Sequence, residues 1–196
     1  YDHFALGAFQ QFDASDGSDV TRTGRHGVVI GDVAGKGVPA ALIMATFRAL
    51  MRARRGAGAG SGPAATVAAV SRLLRESTAT RAFVTCCYAT LDALSGEIVY
   101  ASCGHPPALL VRGPEAVDRV EELANCGTEL GAFEHERFVD RRVGLDPGDC
   151  LLLYTDGLIE PLSAYTQDQL AHAASRVKDG SAQSICEAIV GDRQAA

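Results

Sequence analysis

The chain of 196 residues has no tryptophan, two methionines and only 6% aromatic residues. Its core cannot rest on large rings. It must lean on Ala, Val, Leu and Ile, and a hydrophobic content of 47% supplies enough of them. No run reaches the ~18 apolar residues of a membrane-spanning helix, and no signal-type leader precedes the first strand pattern. Direct membrane insertion is therefore not expected. Basic residues are also scarce: 18 Lys and Arg stand against 24 Asp and Glu, a net charge of −6. The only basic cluster is Arg48, Arg52, Arg54 and Arg55, spaced to lie mostly on the solvated side of one helix. Phosphate-backbone binding shows as a basic face or a high pI, so no nucleic-acid partner is expected. The six cysteines, Cys86, Cys87, Cys103, Cys126, Cys150 and Cys186, include no Cys-x-x-Cys pair. That excludes the usual zinc spacings. They read as small buried hydrophobes in a reducing, cytoplasmic compartment.

What is present fits one α+β domain. Phe4–Phe12 and Val28–Val33 read as strands, separated by an Asp/Ser/Gly/Thr-rich loop over 13–27. Pro39 opens a long helix that runs to Arg55. Ala41, Ala45 and Ala49 recur every fourth residue along it, among Leu42, Ile43, Phe47 and Leu50. This pattern predicts a helix buried on most sides, whose alanine stripe admits a close neighbour. A Gly/Ala/Ser linker over 55–62 precedes a second helix, Pro63–Glu76. Strand patterns follow at Ala82–Asp92, Glu97–Ser102, Ala108–Arg112, Phe138–Leu145 and Cys150–Tyr154, with turns at Leu94–Gly96 and Asp146–Asp149. Two helices close the chain. Thr166 with Gln169 has capping-box spacing, and Ser181 is placed to cap the last helix.

Two aspartates sit where apolar strands end in glycine turns. Asp32 lies in Gly31-Asp32-Val33-Ala34-Gly35-Lys36-Gly37, and Asp156 in Tyr154-Thr155-Asp156-Gly157. A carboxylate at a strand end is held rigidly, and adjacent glycines let carbonyls and waters crowd close. Such oxygen ligands suit Mg²⁺ or Mn²⁺. Asp-Gly is also a common plain turn. The Gly-Lys-Gly run is not a phosphate-binding P-loop, because Val38 follows where Ser or Thr would stand after a longer glycine spacing. Lys36 reads either as a phosphate contact or as a solvated residue at a helix start. His105 reads either as a substrate contact or as a residue that fixes the turn before Pro106-Pro107. Ser102, Cys103 and His105 make no convincing covalent triad, and no Gly-x-Ser-x-Gly elbow occurs.

Three blocks in order carry a family resemblance. Gly31 to Ala45 (GDVAGKGVPAALIMA), Tyr100 to Leu110 (YASCGHPPALL), and Leu130-Gly131 followed by Leu145 to Glu160 (LDPGDCLLLYTDGLIE) closely resemble the SpoIIE/RsbU branch of the metal-dependent type 2C (PPM) protein-serine/threonine phosphatases. The resemblance implies two packed antiparallel β-sheets flanked by helix layers. It implies a site for two or more Mn²⁺ or Mg²⁺ ions, with Asp32 bridging, the Val33 carbonyl completing one coordination sphere and Asp156 binding one ion. A metal-bridging hydroxide would attack phosphoserine or phosphothreonine. The implied substrate is a phosphorylated anti-sigma-factor antagonist, and the implied controller an upstream sensor domain; a homodimer stays open. The alternative is a catalytically weak, phosphatase-like module that binds its partner without turnover. The family also carries an acidic ligand in a Gly-Gly-Asp segment ahead of the Tyr-Asp that Tyr1-Asp2 resembles, and a closing Asp-Asp-x-Thr. Neither stands within residues 1–196, where the last stretch is Gly191-Asp192-Arg193. The expectation is one phosphatase domain of a longer multidomain regulator, with further acidic ligands outside these residues.

Overall fold

The computed structural model describes residues 4–10, 25–54, 62–77, 82–113, 120–159, 165–177 and 180–195. Tyr1-Asp2, His3, Arg55, Glu160, most of the expected 13–27 loop and most of the 55–62 linker lie outside the described residues. The chain divides into two compact units, residues 1–105 with 125–144, and residues 106–124 with 145–196.

The first unit is a five-stranded antiparallel sheet with two helices. Its strands are β1 (Phe4–Gln10), β2 (Arg25–Val33), β3 (Val84–Asp92), β4 (Glu97–Cys103) and β7 (Arg141–Gly144), in the spatial order β1-β2-β3-β4-β7. Side chains alternate between the faces of a strand. Val29 and Val33 of β2, Val84 and Cys86 of β3, and Ala101 and Cys103 of β4 therefore share one face. That face forms a single core with Ile43, Met44, Phe47 and Met51 of α1 (Gly37–Ala53) and Val67, Val70 and Leu74 of α2 (Pro63–Ser77). Each such side chain contributes about 1.5–3 kcal/mol when fully buried.

The alanine stripe behaves differently from the expectation. Ala41, Ala45 and Ala49 are exposed, and so are Val38 at 72% and Leu42 at 64%. The helix buries the face carrying Ile43, Met44, Phe47 and Met51 at spacings of three and four, and the alanines fall with Leu42 on the side left exposed. In the basic cluster Arg52 is exposed as expected, whereas Arg48 is half-buried.

The N-terminus of α2 is anchored from a distant loop: the Ala64 N–H donates to Asp140 Oδ1 at 2.7 Å. An acid there also complements the helix dipole. Buried Ser71 accepts from the Gly131 N–H at 2.8 Å and donates to Glu136, tying α2 to the 131–136 loop.

The second unit is a three-stranded antiparallel sheet, ordered β6-β5-β8, from β5 (Ala108–Val111), β6 (Val120–Leu123) and β8 (Cys150–Leu152). Leu109 and Val111 pack with Leu170, Ala173 and Ala174 of α3 (Gln167–Val177) and Ile185 and Ile189 of α4 (Ala182–Ala195). The capping box forms: the Thr166 N–H donates to Gln169 Oε1 at 2.7 Å, and the Gln169 N–H to Thr166 Oγ1 at 3.3 Å. Ser181 caps α4 by accepting from the Ser184 N–H at 3.2 Å. Asp149 closes the expected turn by accepting from Asp146 N at 3.0 Å, Gly113 N at 2.7 Å and Arg112 at 2.9 Å. Burial pushes its carboxyl up, but these donors outweigh it and hold the pKa below the usual carboxylate value.

Candidate active site

β2 delivers Asp32. Gly31 faces the helices, where a Cβ would lie 3.0 Å from both the Phe47 ring and the Thr85 carbonyl. Asp32 therefore points to the opposite face of the sheet. Its Oδ1 accepts from the Val33 N–H at 2.8 Å, which sets the carboxylate orientation. The chain leaves β2 through Ala34, whose N–H donates to the Phe83 carbonyl at 3.0 Å. Gly37 then adopts φ 72°, a left-handed value that other residues rarely adopt, and α1 begins.

A cavity of about 70 Å³ opens at this turn, lined by Asp32, Val33, Gly35, Lys36, Ala40 and Met44 among others. One water needs roughly 10–15 Å³, so the cavity has room for several waters. Lys36 is exposed and caps α1 with extended backbone and no side-chain hydrogen bond to the helix. The cavity lining thus brings together a strand end that bears a carboxylate and a helix start that bears a lysine and the positive end of the helix dipole. The first suits a cation and the second suits an anion such as a phosphoryl group.

Asp156 belongs to the second unit. It opens a 3-10 turn, Asp156–Leu158, that follows β8, and its side chain is exposed. The turn is closed by Leu158 N–H to Thr155 O at 3.1 Å and Ile159 N–H to Asp156 O at 2.9 Å. Arg193 of α4 donates from Nε to the Leu158 carbonyl at 3.1 Å. The preceding Tyr154 and Thr155 are buried, each at 4% exposure. Burial, with the Glu122 charge nearby, pushes the Tyr154 phenol up to about 12.

His105 is 2% exposed, and its Nδ1 lies 3.0 Å from Thr85 Oγ1. Its carbonyl accepts from Asn125 Nδ2 at 2.9 Å, and Asn125 Oδ1 accepts from Ser102 Oγ at 2.9 Å. Asp32, Val33 and Lys36 thus line one cavity. His105 sits within a buried polar network beside the same strands. Sequence reasoning missed Thr85, Ser102 and Asn125 as members of this network, since only the register of β3 and the return of the chain at 125 reveal them.

The cysteines are all unbridged. Cys86 and Cys103 contact one another in the core; that thiol–thiol hydrogen bond and burial push the Cys86 pKa up. Burial raises Cys87 to about 12. Such thiols are poor nucleophiles.

Among the described residues no three or more His, Cys, Asp or Glu side chains converge as a metal cluster. A hard cation that keeps several waters needs only one or two protein carboxylates beside its substrate's phosphate. Asp32, which lines the cavity at the end of β2, fits that kind of ligation.

Comparison with known proteins gives a consistent pattern. Phosphoserine phosphatase RsbP of Bacillus subtilis is 30% identical over 161 residues, covering 79% of this chain and 39% of that protein. The RsbU and RsbW domains of Rv1364c from Mycobacterium tuberculosis superpose with a TM-score of 0.72 at 30% identity, over 85% of this chain and 48% of that one. The SiaA-PP2C domain of Pseudomonas aeruginosa superposes with a TM-score of 0.78 at 18% identity, over 97% and 72% respectively, and so shares the fold. The chain spans 25–39% of the length of the curated relatives it matches. The family model for Stage II sporulation protein E (SpoIIE) matches residues 22–196. The chain belongs to that family, within the SpoIIE/RsbU-type branch of the α+β type 2C phosphatase fold.

Proposed function

We propose that this chain is the catalytic domain of a metal-dependent protein-serine/threonine phosphatase, one part of a longer multidomain regulator. The observation that carries the reading is the cavity at the end of β2, whose lining includes both Asp32 and Lys36. The metal set proposed is two or more Mn²⁺ or Mg²⁺ ions, held by Asp32, the Val33 carbonyl and Asp156. When bound, such ions lower the pKa of coordinated water and offset charge on phosphoryl oxygens. The chain's own residues have simpler tasks. Val33 N–H orients the Asp32 carboxylate, Lys36 offers its ammonium to the phosphoryl oxygens, and the start of α1 adds its dipole.

The test is phosphate release from a phosphoserine peptide in Mn²⁺. Asp156→Asn should weaken binding of one ion and raise the Mn²⁺ concentration needed for half-maximal rate by about tenfold or more, since a ligand contributes at least as much as its supporting partners. Calorimetric titration checks it; equal stoichiometry and affinity in parent and variant argue against a ligand role.

The substrate proposed is a phosphorylated anti-sigma-factor antagonist in the cytoplasm. The support is that two curated relatives bear the name phosphoserine phosphatase and that one structural relative joins an RsbU to an RsbW domain. Among the described residues no helix is long and apolar enough to cross a membrane. An upstream sensor domain is the proposed controller, acting on α1, which is continuous with the Asp32 turn. The longer protein in its activated state should then turn over the peptide faster than residues 1–196 alone at saturating Mn²⁺, and equal rates would reject that control. The alternative, a partner-binding module with weak catalysis, predicts specific capture of the phosphoprotein without phosphate release.

A further inference from the structure

The buried network at His105 ends on the strand position opposite Asp32. In the register of β2 with β3, Asp32 pairs directly with Thr85. Directly paired residues of an antiparallel sheet point to the same face, with Cβ atoms about 4.5–5.5 Å apart. Thr85 therefore stands beside Asp32 on the same face of the sheet. On its other side Thr85 Oγ1 meets His105 Nδ1 at 3.0 Å. The histidine is itself fixed, because its ring is 2% exposed and its carbonyl accepts from Asn125, which Ser102 in turn anchors. Ser102 is fully buried on β4 and pairs with Cys87 of β3. The network thus spans β4 and β3 and ends on Thr85, the residue paired with Asp32 of β2.

A hydroxyl has one proton to donate and lone pairs to accept with. Which way it turns decides what it can do for a neighbouring carboxylate. We propose that Thr85 and His105 are positioning residues for Asp32: His105 donates through Nδ1–H to Thr85 Oγ1, and Thr85 turns its own proton to the Asp32 carboxylate. One carboxylate oxygen is then held by the Val33 N–H at 2.8 Å and the group is braced from the next strand. Such partners of a metal-binding carboxylate set its direction, and their loss typically costs 10–100-fold in metal affinity. This assignment rests on the ligand role of Asp32 given above. It explains why a histidine with no access to solvent stands in this turn: it orients a hydroxyl and touches no substrate.

The experiment uses four variants: Thr85→Val, Thr85→Ser, His105→Phe and His105→Asn. Mn²⁺ affinity is measured by calorimetry without substrate. The Val33 amide proton shift, which reports the hydrogen bond to Asp32 Oδ1, is measured by NMR in metal-free protein. Thermal midpoints check the fold. Thr85→Val keeps shape and removes the hydroxyl, and should weaken Mn²⁺ binding by at least about tenfold and move the Val33 amide shift. Thr85→Ser should restore both. His105→Phe should match Thr85→Val, and His105→Asn, which keeps a group near Nδ1, should recover part of the loss. The double variant Thr85→Val/His105→Phe should bind Mn²⁺ no worse than Thr85→Val alone, since the two act in series. Unchanged affinity and an unmoved Val33 amide in folded Thr85→Val overturn the proposal. An Asp32→Asn variant that binds Mn²⁺ as the parent does overturns the ligand role of Asp32 alone, and the Val33 amide then decides the positioning claim.

Discussion

Asp32→Asn should reduce phosphoserine hydrolysis by about a thousandfold or more while leaving the protein folded. The substitution removes charge and almost no volume. The amide oxygen of the variant side chain can still accept from the Val33 N–H, so the turn that Asp32 caps at 2.8 Å survives. What is lost is an anionic oxygen for a divalent cation. Lewis-acid stabilisation of a phosphoryl transition state amounts to several kcal/mol, and each 1.4 kcal/mol is about tenfold in rate. Initial rates at saturating Mn²⁺, together with matching circular dichroism, check the expectation. Near-parental turnover by the folded variant would remove Asp32 from the site.

Phe47→Ala should cost about 3–5 kcal/mol of stability, the range for deleting a buried aromatic ring. Phe47 is 1% exposed on the inner face of α1. Its ring lies against Gly31, where even a Cβ would come within 3.0 Å. The contact explains why glycine precedes Asp32: the helix approaches the strand too closely for a side chain. Removing the ring opens a cavity under the strand end that carries the site. Denaturant unfolding followed by tyrosine fluorescence measures the loss; a change below about 1 kcal/mol would show that α1 repacks without it.

Much of the fold was legible because its devices are local. The apolar run to Val33, proline in the first turn of α1, the Thr166–Gln169 box and the Ser181 cap each declare an element within a short stretch of chain. Elements defined by partners were harder to read. Strand β6 carries Glu121 and Glu122 at its centre and shows no apolar alternation; it forms because Leu109 and Leu110 of β5 pair with those residues. The pattern over Phe138–Leu145 shortens to Arg141–Gly144, since Val139 spends its N–H on the Cys126 carbonyl outside the ladder. The α1 stripe misled because alanine is apolar by composition yet small enough to leave exposed at little cost.

The site divides along the same line. Asp32 and Lys36 are near neighbours in the chain, so a strand ending in a glycine turn was enough to group them, whereas the Val33 carbonyl entered only through the family resemblance. His105 was visible as a candidate through its motif, but its connection to Asp32 runs through Thr85, 20 residues earlier in the chain and paired across a sheet. No spacing rule reports a cross-strand register. The exposed or half-exposed residues Asp32, Lys36, Gly37 and Asp156 mark where chemistry can reach the surface, while His105 is buried.

Release of inorganic phosphate from a phosphoserine peptide, followed in Mn²⁺, then in excess chelator, then with Mn²⁺ restored, tests the central claim most directly. The account predicts release that stops on chelation and returns with the metal, in the parent and not in Asp32→Asn. A folded protein that binds Mn²⁺ in calorimetry yet releases no phosphate would contradict it, and would leave a phosphoprotein-binding module in its place.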